Sequence, residues 1–200
     1  GGGAEEMNPR TMPVKAIALA HLTALGLLVL HAAAAPDPAA IESQFTLPAG
    51  FAIRLVAAEP DLANPMTMCV DERGAIFVTE AHTYRYGPTG SPFQPPANPI
   101  KRVEPGSDGR AARVTVVADG FPEPVIGVHA HEGKLYATCL NELFVMDIGP
   151  DGALTNRRLL VKDAAKPWNP FGMYRVAVGP DDKLWLSIAD HPGSEPVSLT

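Results

Sequence analysis

Two polar clusters each follow an apolar, strand-like run, and each holds a histidine close to a carboxylate. The first is Glu80-Ala81-His82-Thr83-Tyr84-Arg85-Tyr86, after AIFVT. The second is Asp190-His191-Pro192-Gly193-Ser194-Glu195, after LWLSIA. Histidine titrates near neutral pH, so His82 and His191 are candidate general bases. Asp190 and Glu80 can orient such a base, or join other oxygen ligands around a cation. Asp190 is grouped with the catalytic candidates; Glu80, Tyr84 and Glu195 are candidate substrate contacts. Arg85 and Arg175 carry the permanent charge suited to an anionic cofactor or a substrate carboxylate. A plainer reading stands beside this one: Asp190 caps the turn before Pro192, Glu80 pairs with an arginine, and the histidines are solvated.

Other reactive side chains are few. His129 and His131 alternate along a strand and so share one face. A metal would need a third ligand, and none follows at motif spacing, so no metal site is assigned. Cys69 and Cys139 each sit in an apolar stretch (MTMCV and LYATCL), which suits buried free thiols. No CxxCH is present, so these residues attach no c-type haem.

The elements that must position the clusters are strands. Turn signals such as Glu72-Arg73-Gly74 and Asp151-Gly152 separate runs rich in β-branched and aromatic residues. Strands are predicted at Ala52–Ala57, Met66–Val70, Ile76–Glu80, Lys101–Val103, Arg113–Ala118, Gly127–His131, Lys134–Cys139, Glu142–Asp147, Arg158–Val161, Arg175–Val178 and Lys183–Ile188. No convincing amphipathic helix interrupts them.

Three hairpins read as copies of one another: MCVDERGAIFVTE, VHAHEGKLYATCL and VAVGPDDKLWLSI. Their turns are anchored at Gly74, Gly133 and Asp182, spaced 59 and 49 residues apart, and each second strand carries an aromatic: Phe77, Tyr136 or Trp185. A further strand precedes each unit (AIRLVAA, RVTVVAD, RRLLVKD). Self-similarity near 40–50 residues, with about four strands per unit, marks β-propeller blades. The competing arrangement is a β-sandwich with coincidentally similar hairpins. The propeller reading makes the repeated aromatics interblade core. Three blades cannot close a ring, because propellers have at least four. The expectation is therefore an all-β chain forming the N-terminal part of a longer propeller.

The N-terminus reads as a leader. Arg10 and Lys15 precede the apolar run Ala16–Leu30, and His31-Ala32-Ala33-Ala34-Ala35 offers small residues for cleavage. The run is shorter than the ~20 residues of a membrane span. This divides the chain into a signal peptide with an upstream extension at 1–35 and the incomplete propeller at 36–200. The protein is expected to be exported, to the periplasm or beyond. It is membrane-anchored if the leader stays uncleaved. Met7 or Met12 is the expected start, since GGGAEE has no leader logic. A net charge of −6 and the absence of any basic stripe argue against nucleic acid as partner.

The run RVAVGPDDKLWLSIAD resembles a blade of soluble quinone-dependent sugar dehydrogenases, which is characterised by a strand with an Arg, a GPD turn, then a strand ending in a Gly-Asp loop. LPAGFAIRLVAAEPDLANPMTMCVDERGAIFVTE is similar to the opening of that family, and NPIKRV to the strand that follows. The wording is closer still to membrane-bound dehydrogenase and L-sorbosone dehydrogenase-like propellers, across roughly residues 45–200. This resemblance implies a six-bladed ring, of which about three blades are present here. It implies pyrroloquinoline quinone (PQQ) and Ca²⁺ as cofactors, with most of their ligands in later blades. It also implies a sugar-like substrate, and electrons leaving through a c-type cytochrome domain further along the gene product. In the glucose dehydrogenases the catalytic His lies four residues before the strand Arg; here that position is Phe171. The rival class is a non-catalytic extracytoplasmic propeller that binds glycan or protein partners.

Overall fold

The computed structural model describes residues 36–84, 87–93, 97–121, 123–162 and 173–188. The chain divides into two units, Gly1–Ala34 and Ala35–Thr200, and every described residue lies in the second. The expected leader therefore falls outside the described residues. Among the described residues no helix is long and apolar enough to cross a membrane.

The chain enters through a five-residue helix, α1 (Pro38–Glu42), capped by the Asp37 carboxylate, which accepts the Ala39 N–H at 3.0 Å. Ten strands follow: β1 (Pro65–Val70), β2 (Ile76–Glu80), β3 (Ile100–Pro105), β4 (Ala111–Ala118), β5 (Gly127–His131), β6 (Lys134–Cys139), β7 (Glu142–Ile148), β8 (Leu154–Lys162), β9 (Met173–Val178) and β10 (Leu184–Ile188). A one-turn helix, α2 (Gly87–Gly90), lies in the long connection between β2 and β3.

All neighbouring strands pair antiparallel, in the orders β1-β2-β3-β4, β5-β6-β7-β8 and β9-β10. Each four-stranded meander is a blade. The first strands of successive sheets adjoin, β1 beside β5 and β5 beside β9, as they do around a propeller axis. The fold is all-β, a partial β-propeller. Among the described residues it comprises two whole blades and the leading hairpin of a third, where the repeat pointed to about three.

The three predicted copies are the three leading hairpins. Phe77 pairs with Cys69, Tyr136 with His129 and Trp185 with Ala177. The predicted turn anchors all have positive φ: Gly74 at 82°, Gly133 at 69° and Asp182 at 58°. In the two-residue turn between β5 and β6, both Glu132 and Gly133 are left-handed. That is the geometry a hairpin with right-twisted strands needs, and glycine adopts it without a Cβ clash.

Core residues lie between the sheets. Phe77 and Ile100 of the first blade meet Val128, Leu135, Ala137 and Met146 of the second, and all are buried. Tyr136 packs with Leu143, Val176, Leu184 and Leu186 between the second blade and the third hairpin. The repeated aromatic is thus interblade core twice. Trp185 departs from the expectation: it is 63% exposed. It alternates with Leu184 and Leu186, which face the second blade, so its ring faces away. No further sheet covers that side among the described residues.

The turns also bind the blades together. The Arg73 guanidinium donates to the Pro150 and Gly149 carbonyls at 3.1 and 3.2 Å, and the Glu72 carboxylate accepts the Glu132 N–H at 2.6 Å. The Arg102 side chain lies directly over Gly152, where a Cβ would collide with it.

Two strand expectations are corrected. Ala52–Ala57 forms no strand. Its polar backbone is taken up elsewhere: Leu55 N–H donates to the Glu42 carboxylate at 2.9 Å, Arg110 donates to the Leu55 carbonyl, and Ala111 N–H to that of Val56. The strand predicted at Arg158–Val161 is the longer β8. The strands that precede the second and third hairpins, β4 and β8, are the outer strands of the blades before them.

Candidate functional site

Glu80 is the last residue of β2 and is fully buried. Its backbone N–H donates to the Pro99 carbonyl at 3.0 Å, which fixes the strand end against the start of β3. A carboxylate out of water needs charge and hydrogen bonds to offset desolvation, and here it has both. Oε1 accepts the Ala63 N–H at 2.7 Å and lies 2.9 Å from the Lys101 ammonium. Oε2 lies 2.9 Å from Nε2 of His82. Lys101 is itself held by the Asp61 carbonyl at 2.8 Å.

His82 is the second residue of the connection that follows β2, and its side chain is only 13% exposed. Its imidazole stacks on Phe93, with centroids 4.8 Å apart and an interplanar angle of 25°. Its carbonyl accepts the Ser91 hydroxyl at 2.5 Å, and the neighbouring Thr83 N–H reaches Asn98 at 3.2 Å. The connection is folded back on the histidine from both of its ends. Such clamping sets the orientation of a ring that would otherwise rotate freely.

The structure therefore brings His82 and Glu80 together, with the buried carboxylate against Nε2 of the imidazole. Glu80 was a candidate substrate contact, but its carboxylate is enclosed by Ala63, Lys101 and His82 and presents no surface. The plainer expectation of an arginine partner is replaced by Lys101. Tyr84 is 43% exposed, two residues beyond His82. Arg175 is exposed on β9, opposite Ser187. Arg85, Asp190, His191, Glu195 and Phe171 lie outside the described residues.

Lys101, Phe93 and Ser91 were not singled out from sequence. The signal for Lys101 lies in the β2–β3 register and not in the sequence spacing. Lys101 pairs across the ladder with Val78, which makes it the diagonal neighbour of Glu80 on the same face, within reach of a long side chain. Phe93 and Ser91 come from the irregular connection, where periodicity gives no guide.

His129 and His131 share one face of β5, with ring centroids 6.3 Å apart and an interplanar angle of 18°. Burial lowers the pKa of His129 from its usual value, the neighbouring His131 charge adds to this, and Glu72 opposes it. Among the described residues no three His, Cys, Asp or Glu side chains converge on a point that a metal ion could occupy. Cys69 and Cys139 are free thiols in the interblade core, each pushed up to about 12 by burial. A groove of about 260 Å³ between the β4 and β8 edges is lined by Val117, Asp119, Met146, Leu154 and Arg157, among others. No candidate site residue contributes to it.

Residues 37–198 match the family model described as Domain of unknown function (DUF7133). The chain belongs to the DUF7133 family. No curated protein matches it. Among solved structures, the holo form of the pyranose dehydrogenase PQQ domain from Coprinopsis cinerea aligns at 20% identity with a TM-score of 0.44. That alignment covers 60% of this chain and 26% of the other. The calcium structure of a Carbohydrate-Active Enzymes family AA12 protein from Trichoderma reesei aligns at 14% identity with a TM-score of 0.45, covering 64% and 29%. This DUF7133 chain spans less than a third of the length of either.

Proposed function

We propose that this DUF7133 chain is part of an exported propeller oxidoreductase that oxidises a sugar-like alcohol, with His82 as the general base. The observation that carries the proposal is the His82–Glu80 contact at 2.9 Å, at the head of a long connection between strands. Loops at strand ends, positioned by a rigid sheet, are where such folds hold their reactive groups. Support for the substrate class comes from the sequence resemblance of residues 45–200 to quinone-dependent sugar dehydrogenases and their L-sorbosone dehydrogenase-like relatives.

The chemistry assigned to the described residues is proton transfer. Glu80 holds Nε2 of His82 at 2.9 Å, and the imidazole so held takes the proton of a substrate hydroxyl. The resemblance implies PQQ as oxidant and Ca²⁺ beside it. The described residues do not make that seat: the Glu80 oxygens are engaged, and no acidic cluster suits Ca²⁺. No step is derived through either group. Transfer of electrons to a c-type cytochrome domain, and residence in the periplasm or at a membrane, belong to the same proposal.

The test uses the complete gene product incubated with Ca²⁺ and PQQ and assayed for dye reduction with aldoses. Quinone-dependent turnover supports the proposal. Absence of quinone binding at stoichiometric protein removes it and favours a propeller that binds glycan or protein partners.

A further inference from the structure

Ala52–Ala57 belongs to no ladder among the described residues, yet it holds a strand's place in the repeat. β4 and β8 each precede the leading hairpin of the next sheet and are the outer strands of the blades before it. β5 starts nine residues after β4 ends, and β9 eleven after β8; β1 starts eight residues after Ala57. By this spacing Ala52–Ala57 corresponds to the outer strand of the blade that precedes the first. In a closed ring the blade before the first is the last. The placement agrees. Arg110 donates to the Leu55 carbonyl at 3.0 Å and the Ala111 N–H to that of Val56 at 2.8 Å, beside the β3–β4 turn. The Asp61 carbonyl then meets Lys101, on the face of the first blade that points away from the second.

That face is shaped for a neighbour. Met68, Val128 and Val176 hold one register position, each a residue before the one opposite the repeated aromatic. Val128 is buried in the cluster with Phe77 of the blade before it, and Val176 in the cluster with Tyr136 of the blade before it. Met68 is 66% exposed, and Val70 on the same face is exposed as well.

We propose that the first blade seats the closing blade of the ring, and that this blade is composite. Ala52–Ala57 supplies its outer strand, and a later segment of the same polypeptide supplies three inner strands. The second of these carries an aromatic that packs on Met68 and Val70. The proposal rests on the reading of the chain as part of a larger propeller and needs no role for His82. Closure within one polypeptide is favoured over a second copy, because the tethered strand meets its partner at high effective concentration. It also covers an apolar face and pairs a sheet edge that would otherwise stay open.

The test places p-benzoylphenylalanine at position 68 of the complete gene product and identifies the photo-crosslinked peptide by mass spectrometry. Hydrogen exchange is read on the unmodified protein. The expected product is a crosslink within one chain to an apolar, aromatic-bearing segment beyond residue 188. Amides 53–57 are expected to exchange as slowly as those of the outer strands β4 and β8. A crosslinked dimer overturns the proposal, since the face then binds a second copy. Attachment within residues 1–188, or no attachment, overturns it too. So does exchange at 53–57 as fast as at residues 44–51. If the substituted protein does not fold, the exchange of the unmodified protein decides the question. No turnover is measured, so a failed dye-reduction assay would remove the catalytic reading and leave this result standing.

Discussion

Oε2 of Glu80 lies 2.9 Å from Nε2 of His82, two residues further along the chain, while Oε1 of the same carboxylate holds Lys101. One buried acid thus ties the end of β2 to β3 and to the connection beyond. Glu80→Ala would strand the Lys101 ammonium and the Ala63 N–H inside the protein. Breaking a buried pair in this way costs about 3–5 kcal/mol. Glu80→Gln keeps the volume and an acceptor for Ala63, so the expected loss is smaller. Urea denaturation of the two variants should rank them in that order.

The repeated aromatic gives a second contrast. Phe77 is fully buried between blades, whereas Trp185 is 63% exposed at the equivalent position. Phe77→Ala is expected to cost about 3–5 kcal/mol, the usual penalty for emptying a packed aromatic site. Trp185→Ala, with most of its ring already in water, should cost less than about 1 kcal/mol. Equal losses in a denaturation experiment would contradict the packing described.

The two thiols predict a pH dependence at the alkaline end. Burial raises Cys69 and Cys139 from 9.0 to about 12. The unfolded chain gives up these protons first, so the folded state binds more protons above pH 9 and stability falls as pH rises. Their contribution is intact below about 9 and disappears as the pH climbs towards 12. Both thiols should resist alkylation at pH 8 in the native chain and react once the chain is unfolded in urea.

Glu42 acts in the opposite direction. The Leu55 N–H, chiefly, and the Arg110 charge hold its carboxyl below the usual 4.5, against some opposing desolvation. A depressed carboxylate contributes stability that is present above that value and is lost as pH falls through the folded pKa. Limited proteolysis between residues 44 and 60 should therefore accelerate in acid. In Glu42→Gln the same sites should open at neutral pH.

The blades were legible because each strand announces itself locally. Phe77, Tyr136 and Trp185 sit in β-rich runs, and Gly74, Gly133 and Asp182 mark turns whose positive φ the structure shows directly. The Ala52–Ala57 run misled for a non-local reason: its hydrogen bonds go to the Glu42 and Arg110 side chains and to Ala111 at the very start of β4, so no ladder forms. The closeness of His82 to Glu80 along the chain was visible, but the turn at 82–84 that follows β2 was not. Lys101 was hidden because its approach to Glu80 depends on the β2–β3 register. Phe93 and Ser91 were hidden in an irregular connection that no period describes.

The most direct test of the central claim is the effect of His82→Asn on aldose-dependent dye reduction by the complete gene product loaded with PQQ and Ca²⁺. Loss of a general base lowers turnover by roughly 10²–10⁴-fold. The account predicts a fall of that size in kcat with quinone binding retained. Unchanged turnover in the His82→Asn protein would contradict it.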